Sequence, residues 1–176
     1  MADNEIFQPY VGGAFGLAWA GREDLPAGHP EGGLTASVKG GLHLRFNRWD
    51  RERGGLLLDG KASVWKSQNF RMTALSPRIG FFYESRRTIV ALRGGVSKAG
   101  GNWGGTGEIG VGYRINEHLT FELALNYLDL RSVHPPAQTV TEFECDVQGC
   151  SDRTYESDPK IELGVWGLDA GLTYYF

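Results

Sequence analysis

Four kinds of side chain in this sequence carry reactive chemistry, and most fall in one polar stretch between residues 131 and 159. Cys145 and Cys150 have four residues between them. They could close a short disulfide loop, or form half of a metal site that lacks accompanying histidines. Ser132 and His134, in "SVHPP", supply the residue types of an activated nucleophile and its base, without an acid partner nearby. Solvated loop residues are the competing account of that pair. Glu142, Glu144, Asp146, Asp152, Glu156 and Asp158 form an acidic set that could draw cations or a basic partner, but they lack EF-hand spacing. A solvated surface is the simpler account of them. The other histidines, His29, His43 and His118, are scattered. Neither a metal constellation nor a cofactor motif emerges, so the expectation is no metal, no cofactor and no enzyme. A lipid-modifying hydrolase built on Ser132 and His134 is the catalytic alternative.

The elements that must position these residues read in steps of two. Eight segments alternate between apolar and polar, over residues 7–19, 34–46, 56–65, 74–84, 88–98, 106–115, 119–130 and 160–176. In "LTASVKGGLHLRF", Leu34, Ala36, Val38, Leu42, Leu44 and Phe46 oppose Thr35, Ser37, Lys39, His43 and Arg45. No convincing helix intervenes. The 176 residues show no linker or composition break, which predicts one domain. Lys and Arg number 18 against 21 Asp and Glu, so there is no basic excess for gripping nucleic acid. No run of eighteen apolar residues exists, which excludes a transmembrane helix. A membrane strand needs only about ten alternating residues and stays open. Met1 is followed at once by "ADNEIF", without a secretory leader, so the chain is either cytosolic or a mature sequence behind a start codon.

Short polar connections ("NRWDRERGG", "SRR", "NEH") alternate with longer ones ("AGREDLPAGHPEGG", "KSQNFRMT", "AGGNWGG" and the stretch after Leu130). That is the arrangement of an all-β, eight-stranded, antiparallel up-and-down barrel, whose closure removes both sheet edges. Such a barrel is either soluble and lipocalin-like, apolar inside, or a membrane barrel, apolar outside. The polar face carries Lys39, Arg45, Asp59, Lys61, Arg78, Glu84, Arg93, Glu108, Arg114, Glu122 and Asp169, six basic and five acidic residues. Glycines such as Gly12, Gly16, Gly41, Gly80 and Gly95 share that face and leave room for large side chains in a narrow lumen. Aromatics on the apolar face crowd toward segment ends: Phe7, Trp19, Phe46, Trp65, Tyr83, Tyr113, Tyr127, Trp166, Tyr174 and Phe176. Interfacial girdles are distributed in that way. The reading is a transmembrane barrel whose lumen holds a packed charge network of Lys39, Asp59, Lys61, Arg78, Arg93, Glu108, Glu122 and Asp169.

"PYVGGAFGLAW", "GEIGVGYRINEHLTFELALNYLDL" and the terminal "GLTYYF" together resemble the OmpA-like, opacity-protein-like family of small outer-membrane barrels, over nearly the whole chain. The resemblance implies a Gram-negative outer membrane, both termini in the periplasm, and partners in outer-membrane lipid and lipopolysaccharide. It also implies that Trp166, Leu172, Tyr174 and Phe176 form the carboxy-terminal signal read by the barrel-assembly machinery, with Phe176 facing lipid. At an oxidising cell surface, Cys145 and Cys150 would be paired, closing a loop worth roughly 2 kcal/mol. The function expected is structural or surface-interacting, with the outer loops as the candidate surface for a ligand.

Overall fold

The computed structural model describes residues 7–20, 32–49, 52–66, 71–133, 138–146, 149–157 and 161–176. They form β1 (Phe7–Ala20), β2 (Gly32–Trp49), β3 (Glu52–Lys66), β4 (Arg71–Ser85), β5 (Thr88–Ala99), β6 (Asn102–Arg114), β7 (Leu119–Val133), β8 (Gln138–Asp146), β9 (Gly149–Ser157) and β10 (Ile161–Tyr175). Eight of these strands close a barrel in the order β1-β10-β7-β6-β5-β4-β3-β2. Each pairs antiparallel with its neighbours, and β1 meets β10 from Tyr10↔Tyr175 to Ala20↔Val165. The other two pair only with each other.

The alternation seen in the sequence becomes the two faces of this wall. In β4 every second residue from Met72 to Glu84 is buried, and those between are exposed. A period of two allows no other outcome once one face is enclosed. Three connections differ from the sequence reading. "NRWDRERGG" is mostly strand, with β2 running to Trp49 and β3 starting at Glu52. "AGGNWGG" is not a longer loop: β5 runs to Ala99, β6 starts at Asn102, and Gly100 and Gly101 turn with φ of 55° and 88°. A two-residue hairpin of that hand needs positive φ at both central positions, which glycine adopts without a steric penalty. The long connection after β7, read as loop, contains the β8–β9 hairpin, in which Cys145 and Cys150 are direct cross-strand partners.

The carboxy terminus is tied down. Tyr175 N donates to His118 O at 2.7 Å, and Phe176 N donates to Pro9 O at 3.1 Å. The turn that receives it is shaped by Asn116, whose Oδ1 accepts from the backbone N of His118 and of Leu119. The end of the barrel bearing the two termini is called here the terminal end, and the opposite one the hairpin end.

The lumen is layered. Toward the terminal end lie Tyr10, Leu57, Phe82, Ile89, Ala91 and Tyr175. Toward the hairpin end lie Ala18, Trp65, Met72, Ala74, Ala99 and Val165. Trp65 therefore corrects the sequence reading: it points inward, at 5% exposure, and is not part of the outer aromatic face. Its parity agrees, because Trp65 falls in step with Asp59 and Lys61, and alternation outranks residue type.

Candidate functional site

Between the two apolar layers lies the charged tier. The strands that build it pair in register at this height: Lys39↔Lys61, Asp59↔Arg78 and Arg93↔Glu108. Arg78 grips Asp59 through Nε to Oδ1 at 2.7 Å and Nη2 to Oδ2 at 2.9 Å, and its Nη1 donates to Glu108 Oε2 at 2.6 Å. Arg93 Nη1 is shared between Glu108 Oε1 at 2.7 Å and Glu122 Oε1 at 2.9 Å. Its Nε lies 3.2 Å from Asp59 Oδ2, an ion pair without hydrogen-bond alignment. Lys61 Nζ donates to Glu108 Oε2 at 2.9 Å and Asp169 Oδ2 at 3.0 Å, and Lys39 Nζ to Glu122 Oε2 at 2.5 Å.

All eight charged residues assigned to the lumen from the sequence thus meet in one cluster, four cations against four carboxylates. Charges in a low-dielectric interior persist only when paired and hydrogen-bonded, and here every one has an opposite neighbour. Three neutral members were not singled out from the sequence. Tyr10 donates its hydroxyl to Asp59 at 2.6 Å, Asn126 bridges Lys61 and Asp169, and Thr173 donates to Glu122 at 3.2 Å. The signal was present: each shares the inward parity of a charged residue on its own strand or a glycine beside it. Close packing is made possible by the inward glycines. A Cβ on Gly80 would sit 2.0 Å from Leu92 O, and one on Gly16 2.1 Å from Leu168 O.

The outer face is the reverse of a lipocalin. Phe15, Leu34, Phe81, Leu92 and Leu168 are among many large apolar side chains exposed around the wall. Two aromatic rims bound this belt. Trp19, Trp166 and Tyr127 lie side by side in register near the hairpin end, the last two rings 4.7 Å apart. Phe7, Phe46, Tyr83, Tyr113, Tyr174 and Phe176 mark the terminal end, all exposed. Along β10 the rims are separated by the run from Trp166 to Tyr174, a span of about 20 Å after strand tilt, near the height of a membrane apolar band. Lys98 lies over the Trp103 ring at 5.5 Å on the same outer face, an ammonium on an aromatic rim.

Above the charged tier, toward the hairpin end, a cavity of about 60 Å³ is walled by Ala18, Trp65, Met72, Leu128 and Val165 and floored by Lys61, Asn126 and Asp169. A volume of that size admits a few waters and no through-going channel. Among the described residues no group of three or more His, Cys, Asp or Glu is placed to hold a metal ion. His43 is buried in the terminal layer, its ring stacked 4.3 Å from Phe82 and edge-on to Tyr10 and Tyr175. His118 lies in the turn against Tyr175 O. Ser132 belongs to β7, but its side chain, like those of Cys145, Cys150, Glu142, Glu144, Asp146, Asp152 and Glu156, lies outside what is described. His29, His134 and Asp158 lie outside the described residues altogether.

No family model matches the chain, and no curated protein matches it. Solved structures do. A de novo designed transmembrane β-barrel is 13% identical, with 96% of this chain and 95% of that one covered and a TM-score of 0.51. Neisserial surface protein A is 12% identical, with 97% of each chain covered and a TM-score of 0.54. The outer membrane protein OprG from Pseudomonas aeruginosa is 15% identical over 97% of this chain and 95% of that one, with a TM-score of 0.42. With its charged lumen, apolar wall and two aromatic rims, the chain has the fold of the small eight-stranded outer-membrane β-barrels.

Proposed function

We propose that this chain is an integral outer-membrane protein of structural or surface-interaction type, with its termini in the periplasm. The observation that carries the reading is the inversion of the wall: continuous apolar side chains outside, between two aromatic rims, and ionised side chains inside. Water would penalise such an exterior, whereas hydrocarbon solvates it. The three connections at the terminal end are short, and the hairpin end carries the β8–β9 excursion. A membrane barrel with short periplasmic turns places the hairpin at the cell surface, beside lipopolysaccharide, where it is the candidate contact for a ligand. Trp166, Leu172, Tyr174 and Phe176 form the lipid-facing stripe of the last strand, which suits a role as the assembly signal. Refolding tests the proposal: the chain should fold only in detergent or lipid and then show heat-modifiable gel mobility. A monodisperse, folded protein in detergent-free buffer would overturn it.

A further inference from the structure

The outward face of the wall is apolar over most of its area, but at the hairpin end cations interrupt it on three adjacent strands. Lys66 ends β3, Arg71 begins β4, and Lys98 stands just before the end of β5, all exposed. Parity turns them outward, because their chain neighbours Trp65, Met72, Ser97 and Ala99 are buried in the lumen. Lys66 and Arg71 are direct cross-strand partners. Lys98 is opposite Trp103 on β6, with its ammonium 5.5 Å from the ring centre.

Register fixes their height. A ladder row followed from Trp19 through Trp166 and Tyr127, and on around the barrel, returns to β1 at Pro9. Each strand crossed therefore lowers the row toward the terminal end by about one residue. With that stagger removed, Lys66, Arg71, Lys98 and Trp103 lie within about 5 Å of the height of Trp19, on the hairpin-end aromatic rim. Below them the apolar belt continues through Leu75 and Val96, both exposed. Like charges directly opposed across two strands repel, and Lys66 and Arg71 are such a pair. Among the described residues, the outward acid at this height is Asp129 on β7, with β5 and β6 between it and Arg71. The β8–β9 excursion leaves the barrel between β7 and β10, on the far side of the wall from β4.

We propose that this corner of the rim is a lipid-headgroup site, in which Lys66 and Arg71 together hold the phosphate of an anionic membrane lipid. Lys98, on the Trp103 ring, adds a third positive charge at the same height, and the acyl chains lie on the apolar belt below. This deepens the outer-membrane reading and rests on it. A phosphate monoester carries more than one negative charge and several acceptor oxygens, so it bridges an ammonium and a guanidinium and removes their repulsion. Lysine and arginine stems run along apolar surface while their heads reach the headgroup level, which is the height found here. The continuity of the cations with the belt selects a lipid, whose two ends match the two halves of this surface.

Quenching by brominated lipids tests this on the barrel refolded into phosphatidylcholine vesicles, because bromine quenches tryptophan on contact and Trp19, Trp103 and Trp166 are exposed at this rim. Brominated phosphatidic acid should outcompete brominated phosphatidylcholine at the wall by roughly an order of magnitude. Lys66→Gln and Arg71→Gln should each lower that ratio roughly fivefold. Lys66→Glu opposes Arg71 with a carboxylate, and should abolish the preference while leaving folding in phosphatidylcholine intact. Arg86→Gln combined with Arg87→Gln, in the exposed turn between β4 and β5 at the terminal end, should leave the ratio unchanged. A wild-type ratio of one, a ratio unmoved by Lys66→Glu, or an equal loss from the Arg86 and Arg87 pair would each overturn the site while the membrane reading stands. No quenching by either brominated lipid would overturn the membrane reading, and the site with it.

Discussion

Asp59 and Arg78 stand directly opposite each other on β3 and β4, and their side chains lock in a two-point fork at 2.7 and 2.9 Å, each side chain about 1% exposed. The register of two neighbouring strands thus delivers a bidentate ion pair to the centre of the barrel. Arg93 and Tyr10 reach the same carboxylate from two further strands, so Asp59 ties four strands together.

Removing that carboxylate takes away one of the two counter-ions that Arg78 and Arg93 share, leaving Glu108. Asp59→Ala should cost about 3 to 5 kcal/mol, as expected for breaking a buried pair. Asp169→Ala, which strands Lys61 and Asn126, should also be destabilising, and both should exceed Asp152→Ala in the hairpin, which should stay within about 0.5 kcal/mol. Urea unfolding in lipid vesicles, followed by tryptophan fluorescence, measures all three. Equal stability of Asp59→Ala and Asp152→Ala would contradict the network.

On the wall, Ala170→Arg puts a charge into hydrocarbon at mid-height between Trp166 and Tyr174 and should cost about 2 to 4 kcal/mol, with Leu172→Arg milder because it lies nearer the terminal rim. The same unfolding assay reads the difference. Tolerance of both arginines at no cost would remove the membrane assignment of this face.

Glycine separates a packed face from an open one. A Cβ at Gly80 would meet Leu92 O at 2.0 Å, whereas one at Gly60 meets nothing within 4 Å. Gly80→Ala should therefore lower the yield of heat-modifiable, folded protein, and Gly60→Ala should not. The opposite ranking in a refolding time course would show that the inner wall is not tightly packed.

The occupied lumen predicts electrical silence. Eight strands enclose room for side chains and little more, and the charged tier with its two apolar neighbours fills that room. Planar-bilayer recording should show no steady, large conductance; a persistent porin-sized current is the result that refutes a packed interior.

Cys145 and Cys150 are directly opposed across the hairpin. Opposed residues of an antiparallel pair lie about 4.5 to 5.5 Å apart at Cα, inside the range a disulfide spans. Natively exported protein should lose two hydrogens from the peptide that contains both, by mass spectrometry before and after reduction. Two thiols that alkylate freely in unreduced protein would rule the bridge out.

The sequence by itself determined which residues face in and which face out, because a strand has only two faces and the period is two. That is why Lys39, Asp59, Lys61, Arg78, Arg93, Glu108, Glu122 and Asp169 could be assigned to one lumen before any partner was known, and why eight barrel strands were legible. At Trp65 residue type and parity point to opposite faces, and parity prevails: the indole is buried inside the barrel. Turn lengths were also hard to read: "AGGNWGG" has loop composition, yet two positive-φ glycines let the ladder continue to the very tip of the hairpin. Only the closed structure decided height. Depth in a barrel depends on stagger between strands as well as on position along one, so the pairing of Arg78 with Asp59, and the separation of Arg45, Arg114 and Glu84 into a tier of their own, follow from register. That the Nε and Nη2 edge of Arg114 is left without a hydrogen-bond partner was likewise decided by the fold alone.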